Sequence, residues 1–155
     1  MNGPNVAKTD KPFRFLVRQF SKEAVIFTEM LHTNSILYGN QNKLLEYDEI
    51  ENPIALQLGG NDPESLSEVC KMAEAFDYDE INLNLGCPSP KVKSGNFGAA
   101  LMDQPEIVKE CLVAMQENSS KTISVKIRLG INENDTNKTL DDFVNQVSSV
   151  GVKVF

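Results

Sequence analysis

Two periodicities alternate along this chain from Thr9 to Phe155, and that alternation limits its possible folds more than any other feature. Runs of strand length, Val25 to Met30, Ile54 to Leu58, Glu80 to Leu85 and Ile123 to Leu129, are separated by stretches with apolar residues at helical spacing. Asp62-Pro63 caps one predicted helix, whose Leu66, Val69, Cys70, Ala73 and Phe76 form a stripe. Pro105 opens another, with Ile107, Val108, Cys111, Leu112 and Met115 facing inward. An earlier helix is expected after the Thr9-Asp10 cap, carrying Phe13, Leu16, Val17 and Phe20. A last one holds Leu140, Phe143, Val144, Val147 and Val150 and is stopped by Gly151, after which Val152 to Phe155 begins a strand. His32 to Tyr47 reads as a short helix and loop, and Gly130 to Lys138 as a polar loop. Regular strand–helix alternation implies parallel strands joined by crossover helices. On periodicity alone a small open doubly wound sheet is a fair reading, since a closed (β/α)8 barrel needs ~250 residues.

The strand at Glu80 to Leu85 differs from the others. Ile81, Leu83 and Leu85 alternate with Asn82, Asn84 and Gly86, so one face carries two amides in place of ordinary solvent-facing charges. Pro88 stops the ladder just after Cys87, which places a thiol on a loop at the strand's C-terminal end, where α/β folds locate their chemistry. Gln57, Asn84 with Cys87, and Lys126 all lie in the later halves of successive predicted strands. In a parallel sheet they point to one rim. Each also has a plainer reading. Gln57 could be a buried amide satisfied by backbone, and Lys126 an ammonium snorkelling from a strand end. Cys70 and Cys111 sit in apolar stripes and read as core. His32 has no sequence partner and reads as a loop residue, while Asp62, Glu64, Asp77, Asp79 and Glu80 read as solvated helix ends. Gly59-Gly60 lacks the Lys-Ser/Thr of a phosphate loop.

Composition removes several classes. The 155 residues, 41% of them hydrophobic and 24% charged, suit a globular domain of 9–155 behind an irregular 1–8. No apolar run approaches the ~20 residues of a membrane span, and a charged-then-apolar leader is missing from the start. The three scattered cysteines form neither a disulfide framework nor a CxxC metal spacing, so the expectation is a protein of the reducing cytoplasm without a metal. A net charge of −7 opposes stand-alone nucleic-acid binding, which rests on phosphate neutralisation. That opposition eases if basic surface is local, as at Lys91 and Lys93 beside Cys87, or lies outside this chain.

The run NLGCPSPKVKSGNFGAALM resembles the signature of the tRNA-dihydrouridine synthases, in particular the 20/20a-like branch with a phenylalanine before the second glycine. TDKPFRFLVRQFS, FTEM, NPIALQLGGNDPESL, YDEINLNLGCP and ISVKIRLGI resemble successive blocks of that family in the family's order, covering residues 9 to 155. The resemblance implies the N-terminal portion of an FMN-binding (β/α)8 TIM barrel, about half of it, with the rest of the barrel and a helical tRNA-binding domain outside this chain. Where the family carries a strand with Ala-Pro-Met before TDKPFRF, this sequence has GPNVAK.

It further implies FMN-dependent reduction of a D-loop uridine of tRNA to 5,6-dihydrouridine, with NADPH as reductant. Cys87 matches the motif cysteine that acts as general acid, and Asn84 the amide that holds the uracil edge. Gln57 and Lys126 match positions that hold the flavin, and Lys91 a basic position facing the RNA backbone. The cofactor phosphate of such barrels is gripped by loops after the last two strands, so the chain by itself is expected to hold FMN weakly or not at all. Two alternatives stand beside this reading. One is a non-catalytic, degenerate fragment that keeps the motif. The other is an FMN barrel that reduces free pyrimidines.

Overall fold

A computed structural model of the chain describes residues 9–130 and 137–155, leaving out the side chains of Lys91, Lys93 and Asn137. The expected irregular segment 1–8 and most of the expected polar loop before the last helix lie outside the described residues.

The first helix, α1 (Lys11–Phe20), is capped by Asp10, which accepts a hydrogen bond from the Phe13 amide at 3.0 Å. Its buried face is not the expected apolar stripe. Arg14 and Arg18 are turned inward, while Leu16 and Phe20 are 53% and 84% exposed. The cause lies in the turn before the next long strand. There Glu51 is buried, and Arg14 donates through Nε to its carboxylate. Arg14 also donates to the Thr9 carbonyl at 2.6 Å, and Arg18 to the Glu51 and Pro53 carbonyls at 2.7 and 3.1 Å. A buried carboxylate needs a charged partner far more than phenylalanine rings need cover, so the two arginines, four residues apart, decide which face turns in.

The expected strand from Val25 to Met30 is divided into β1 (Ile26–Phe27) and β2 (Leu31–His32). At the break the Thr28 hydroxyl, not a backbone carbonyl, accepts from the Gln57 amide at 3.0 Å, so a side chain replaces a rung of the ladder. Two short helices follow, α2 (Thr33–Tyr38) and α3 (Gln41–Leu45), then a single 3₁₀ turn at Glu49–Glu51. β3 (Ile54–Gly59) leads to α4 (Pro63–Ala73), and β4 (Glu80–Asn84) to the short α5 (Pro90–Ser94) and a 3₁₀ segment, Gly98–Asp103. α6 (Pro105–Glu117), β5 (Thr122–Lys126) and α7 (Asn137–Ser148) complete the order.

All strand pairs among the described residues are parallel and follow chain order: β1 and β2 both on β3, β3 on β4, β4 on β5, with Val154 bridging to Ser124 on the far side of β5. A doubly wound sheet reverses its order at a switch point. This one does not. Sequential winding in a single direction is the order of a (β/α)8 barrel, and the chain supplies its N-terminal portion.

The register divides the sheet into two chemically distinct faces. Leu56, Leu58, Ile81, Leu83, Ile123 and Val125 share one face and join a buried cluster with Leu66, Val69, Cys70 and Ala73 of α4 and Val108, Cys111, Leu112 and Met115 of α6. Gln57, Asn82, Asn84 and Ser124 share the other face and are also buried. The expected inward residues of α4 and α6 therefore face the sheet. Phe76 lies past the end of α4, half-buried against this cluster.

Leu66→Ala should cost about 2–5 kcal/mol in urea denaturation, because that side chain is wholly enclosed. Phe20→Ala should stay within about 0.5 kcal/mol. A large loss from the Phe20 change would mean that α1 buries its apolar face after all.

Candidate active site

The site grows from the end of β4. Asn84 turns its side-chain oxygen back on the chain and accepts from the amides of Gly86 and Cys87, at 3.1 and 2.9 Å. The strand thereby caps the loop that leaves it, and the Cys87 backbone is fixed relative to the sheet. From the other side, the Cys87 carbonyl accepts from the Ala99 amide at 3.0 Å. That second bond requires Gly98, whose φ is +65° and where a Cβ would lie 2.5 Å from Val92 Cγ1 and 2.8 Å from the Cys87 oxygen. The Cys87 thiol is half-buried and donates to the Ser89 hydroxyl over 3.6 Å.

Phe97 pins the loop down. Its buried ring meets the His32 ring edge-on, with centroids 4.7 Å apart, and lies against Gly59 at the end of β3. A Cβ on Gly59 would come within 3.0 Å of that ring, and one on Gly95 within 2.6 Å. His32 is thus more than a loop residue. It ends β2, caps α2 by accepting the Asn34 amide at Nδ1 (3.1 Å), and burial lowers its imidazole pKa.

Beneath the loop the inward face is a continuous polar lattice. Asn84 Nδ2 donates to Gln57 Oε1 at 2.9 Å, and Gln57 Nε2 donates to Asn82 Oδ1 at 2.8 Å. Asn82 Nδ2 donates to Ser124 Oγ at 2.6 Å, and the Ser124 hydroxyl donates to the Glu80 carboxylate. Gln57 is wholly enclosed, and Asn82, Asn84 and Ser124 are at most 4% exposed. Lys126 stands opposite Asn84 in register on the same face, half-buried, and its ammonium has no hydrogen bond or ion pair among the described residues.

The structure therefore brings together four of the residues singled out from sequence: Cys87, Asn84, Gln57 and Lys126. Lys91 falls in α5, and its side chain lies outside the described residues. Glu80 opens β4 as its spacing predicts, and only its reading as a solvated charge is corrected: it is half-buried and bonded to Ser124. Sequence reasoning missed Asn82, Ser124 and Phe97 as parts of the site. The period-2 pattern of β4 did put Asn82 on the face of Asn84, whereas the contact of Phe97 with two glycines had no local signal.

The remaining thiols are chemically quiet. Burial, with a smaller push from nearby carboxylates, raises both Cys70 and Cys111 to about 12. Among the described residues no group of three or more His, Cys, Asp or Glu could hold a metal ion, and no helix is long and apolar enough to cross a membrane.

A singly wound parallel sheet with a fixed thiol and a buried amide lattice at its C-terminal rim defines an α/β-barrel type of site. The particular family follows from comparison with known proteins. The chain matches the dihydrouridine synthase family model over residues 1–155, and it belongs to that family. It is similar to the tRNA-dihydrouridine(20/20a) synthase of Synechocystis sp., with 43% identity over 152 residues, 98% of this chain and 46% of that protein. The enzymes of the same name from Vibrio parahaemolyticus and Escherichia coli K12 are 45% identical over 148 residues, 96% of this chain and 45% and 43% of theirs. The chain spans about half the length of these curated relatives.

Alkylation at mildly alkaline pH should modify Cys87 alone in the native protein and all three cysteines after unfolding, as read by intact mass. Modification of Cys70 or Cys111 at a comparable rate would contradict their burial.

Proposed function

We propose that the protein containing this chain reduces a uridine of tRNA to 5,6-dihydrouridine, with Cys87 as the proton donor to C5 of the uracil. The observation that carries this reading is the fixing of Cys87: its amide is 2.9 Å from the Asn84 side-chain oxygen, so one residue of β4 sets both the thiol and an amide at the same rim. A thiol suits this role because it is neutral near pH 7 and still gives up a proton readily. Asn84, with the Nδ2 hydrogen not used on Gln57, holds the uracil edge. Lys91 faces the RNA backbone and offsets part of the −7 charge.

FMN supplies hydride to C6 when bound, and NADPH replenishes it. The residues present fit that group unequally. Lys126, a half-buried ammonium beside Asn84 without a partner among the described residues, suits the electron-rich edge of a flavin. Gln57 keeps one amide hydrogen beyond its bond to Asn82, but its side chain is enclosed under Asn84, so it supports the site from below. The names of the similar enzymes point to uridines 20 and 20a, in the D-loop, as the substrate class. A tRNA substrate together with reduced, unpaired cysteines suits the cytoplasm.

The test separates two half-reactions in the intact protein. Cys87→Ala should leave flavin reduction by NADPH intact, since that step needs no acid for uracil, and should lower dihydrouridine formation by ~10²–10⁴-fold. Near-normal dihydrouridine formation would remove Cys87 from the mechanism. Reduction of free uracil in preference to tRNA would instead favour a pyrimidine reductase. By itself, the 155-residue chain should quench FMN fluorescence only weakly, because barrel phosphate sites draw on loops after later strands. Tight stoichiometric quenching would show that these residues suffice.

A further inference from the structure

The lattice under the rim has a direction. A side-chain amide can be turned either way, and heavy-atom positions alone seldom say which. Here the upper end is unambiguous. The amides of Gly86 and Cys87 can only donate, so Asn84 must present its oxygen to them and its NH2 to Gln57. Gln57 must then turn its oxygen to Asn84 and its NH2 to Asn82, and Asn82 its NH2 to Ser124. Ser124, having accepted, has one proton left, and it goes to the Glu80 carboxylate. Every bond thus donates the same way, from the loop down to Glu80.

Reversing any one amide would set donor against donor in a region at most 4% exposed. The bonds also polarise one another, and the charged acceptor at the foot strengthens the whole chain. We infer that Glu80 and Ser124, acting through Asn82, are positioning residues: from the foot of the lattice they hold the Gln57 and Asn84 amides in the orientation that the loop amides set at the rim. Their value to catalysis rests on the function proposed above, because a loosened Asn84 would no longer hold its NH2 steadily towards the uracil edge. The orientation itself does not depend on that function. None of the three matches a position to which the family resemblance gave a role, and Glu80 lies at the opposite end of β4 from Cys87.

The experiment reads side-chain amide resonances in the 15N-labelled protein, without flavin or RNA. Glu80→Leu keeps a similar volume at a half-exposed position and should leave the backbone spectrum in place. It removes the acceptor at the foot and with it the polarisation of the bonds above, so the NH2 signals of Gln57 and Asn84, three and four bonds away, should shift. Ser124→Ala should do the same, and Ser124→Thr, which keeps the hydroxyl, should restore the native signals. Changes confined to Asn82, with Gln57 and Asn84 unmoved in Glu80→Leu, would overturn the inference even if Ser124→Ala failed to fold. In the intact enzyme, Ser124→Ala should raise KM for tRNA more than it lowers flavin reduction, with recovery in Ser124→Thr. Since the spectra involve neither substrate nor cofactor, a missing long-range response refutes the directed lattice alone. An inactive enzyme with that response intact refutes the proposed reaction alone.

Discussion

Buried amides are costly unless paired, and the pairing of Asn84 is the constraint on which the rest of this structure depends. Its oxygen holds the first two amides of the Cys87 loop, and its nitrogen holds Gln57 on the neighbouring strand. Each enclosed amide left without partners would cost roughly 1–3 kcal/mol, so the lattice also enforces strand register. Slipping β4 by one residue against β3 or β5 would send Asn82 and Asn84 to the helix face and Ile81, Leu83 and Leu85 into the polar one. The apolar cluster with α4 and α6 resists the same slip from the opposite side. Two incompatible chemistries on alternating residues thus select one register.

The fixed register has consequences for the rim. Parallel strands wound in one direction bring the ends of β3, β4 and β5 to a common edge, so Gly59, Cys87 and Lys126 come to it from three separate parts of the chain. Phe97 then joins the loop after Cys87 to the end of β3 through two positions with no side chain to obstruct it. A thiol placed by backbone bonds on both sides can hold its position without a catalytic partner. That is what transfer of a single proton to a ligand at the rim requires, and it distinguishes Cys87 from the helix-buried Cys70 and Cys111.

Much of this was legible from the residues. α4 was readable because Asp62-Pro63 and the spacing of Leu66, Val69, Cys70 and Ala73 agree on one helix. The place of Cys87 was readable because Pro88 ends the ladder beside it. The misreadings share a cause. On α1 the apolar spacing of Phe13, Leu16 and Phe20 was outweighed by Glu51, more than thirty residues away, which draws in Arg14 and Arg18. β1 was broken by Thr28 replacing a backbone acceptor. Glu80 resembled a solvent charge until its bond to Ser124 across the sheet was seen. In each case a long-range polar bond decided what local periodicity could not.

The account stands or falls on whether the Asn84 side chain ties the loop to the sheet, and native-state hydrogen exchange at the Gly86 and Cys87 amides measures that directly. These two amides should exchange as slowly as those of β4, because opening them breaks the lattice. Exchange at the rate of the exposed bend at Lys22 and Glu23 would mean that the loop moves independently of the strand, and that nothing in the sheet positions the thiol.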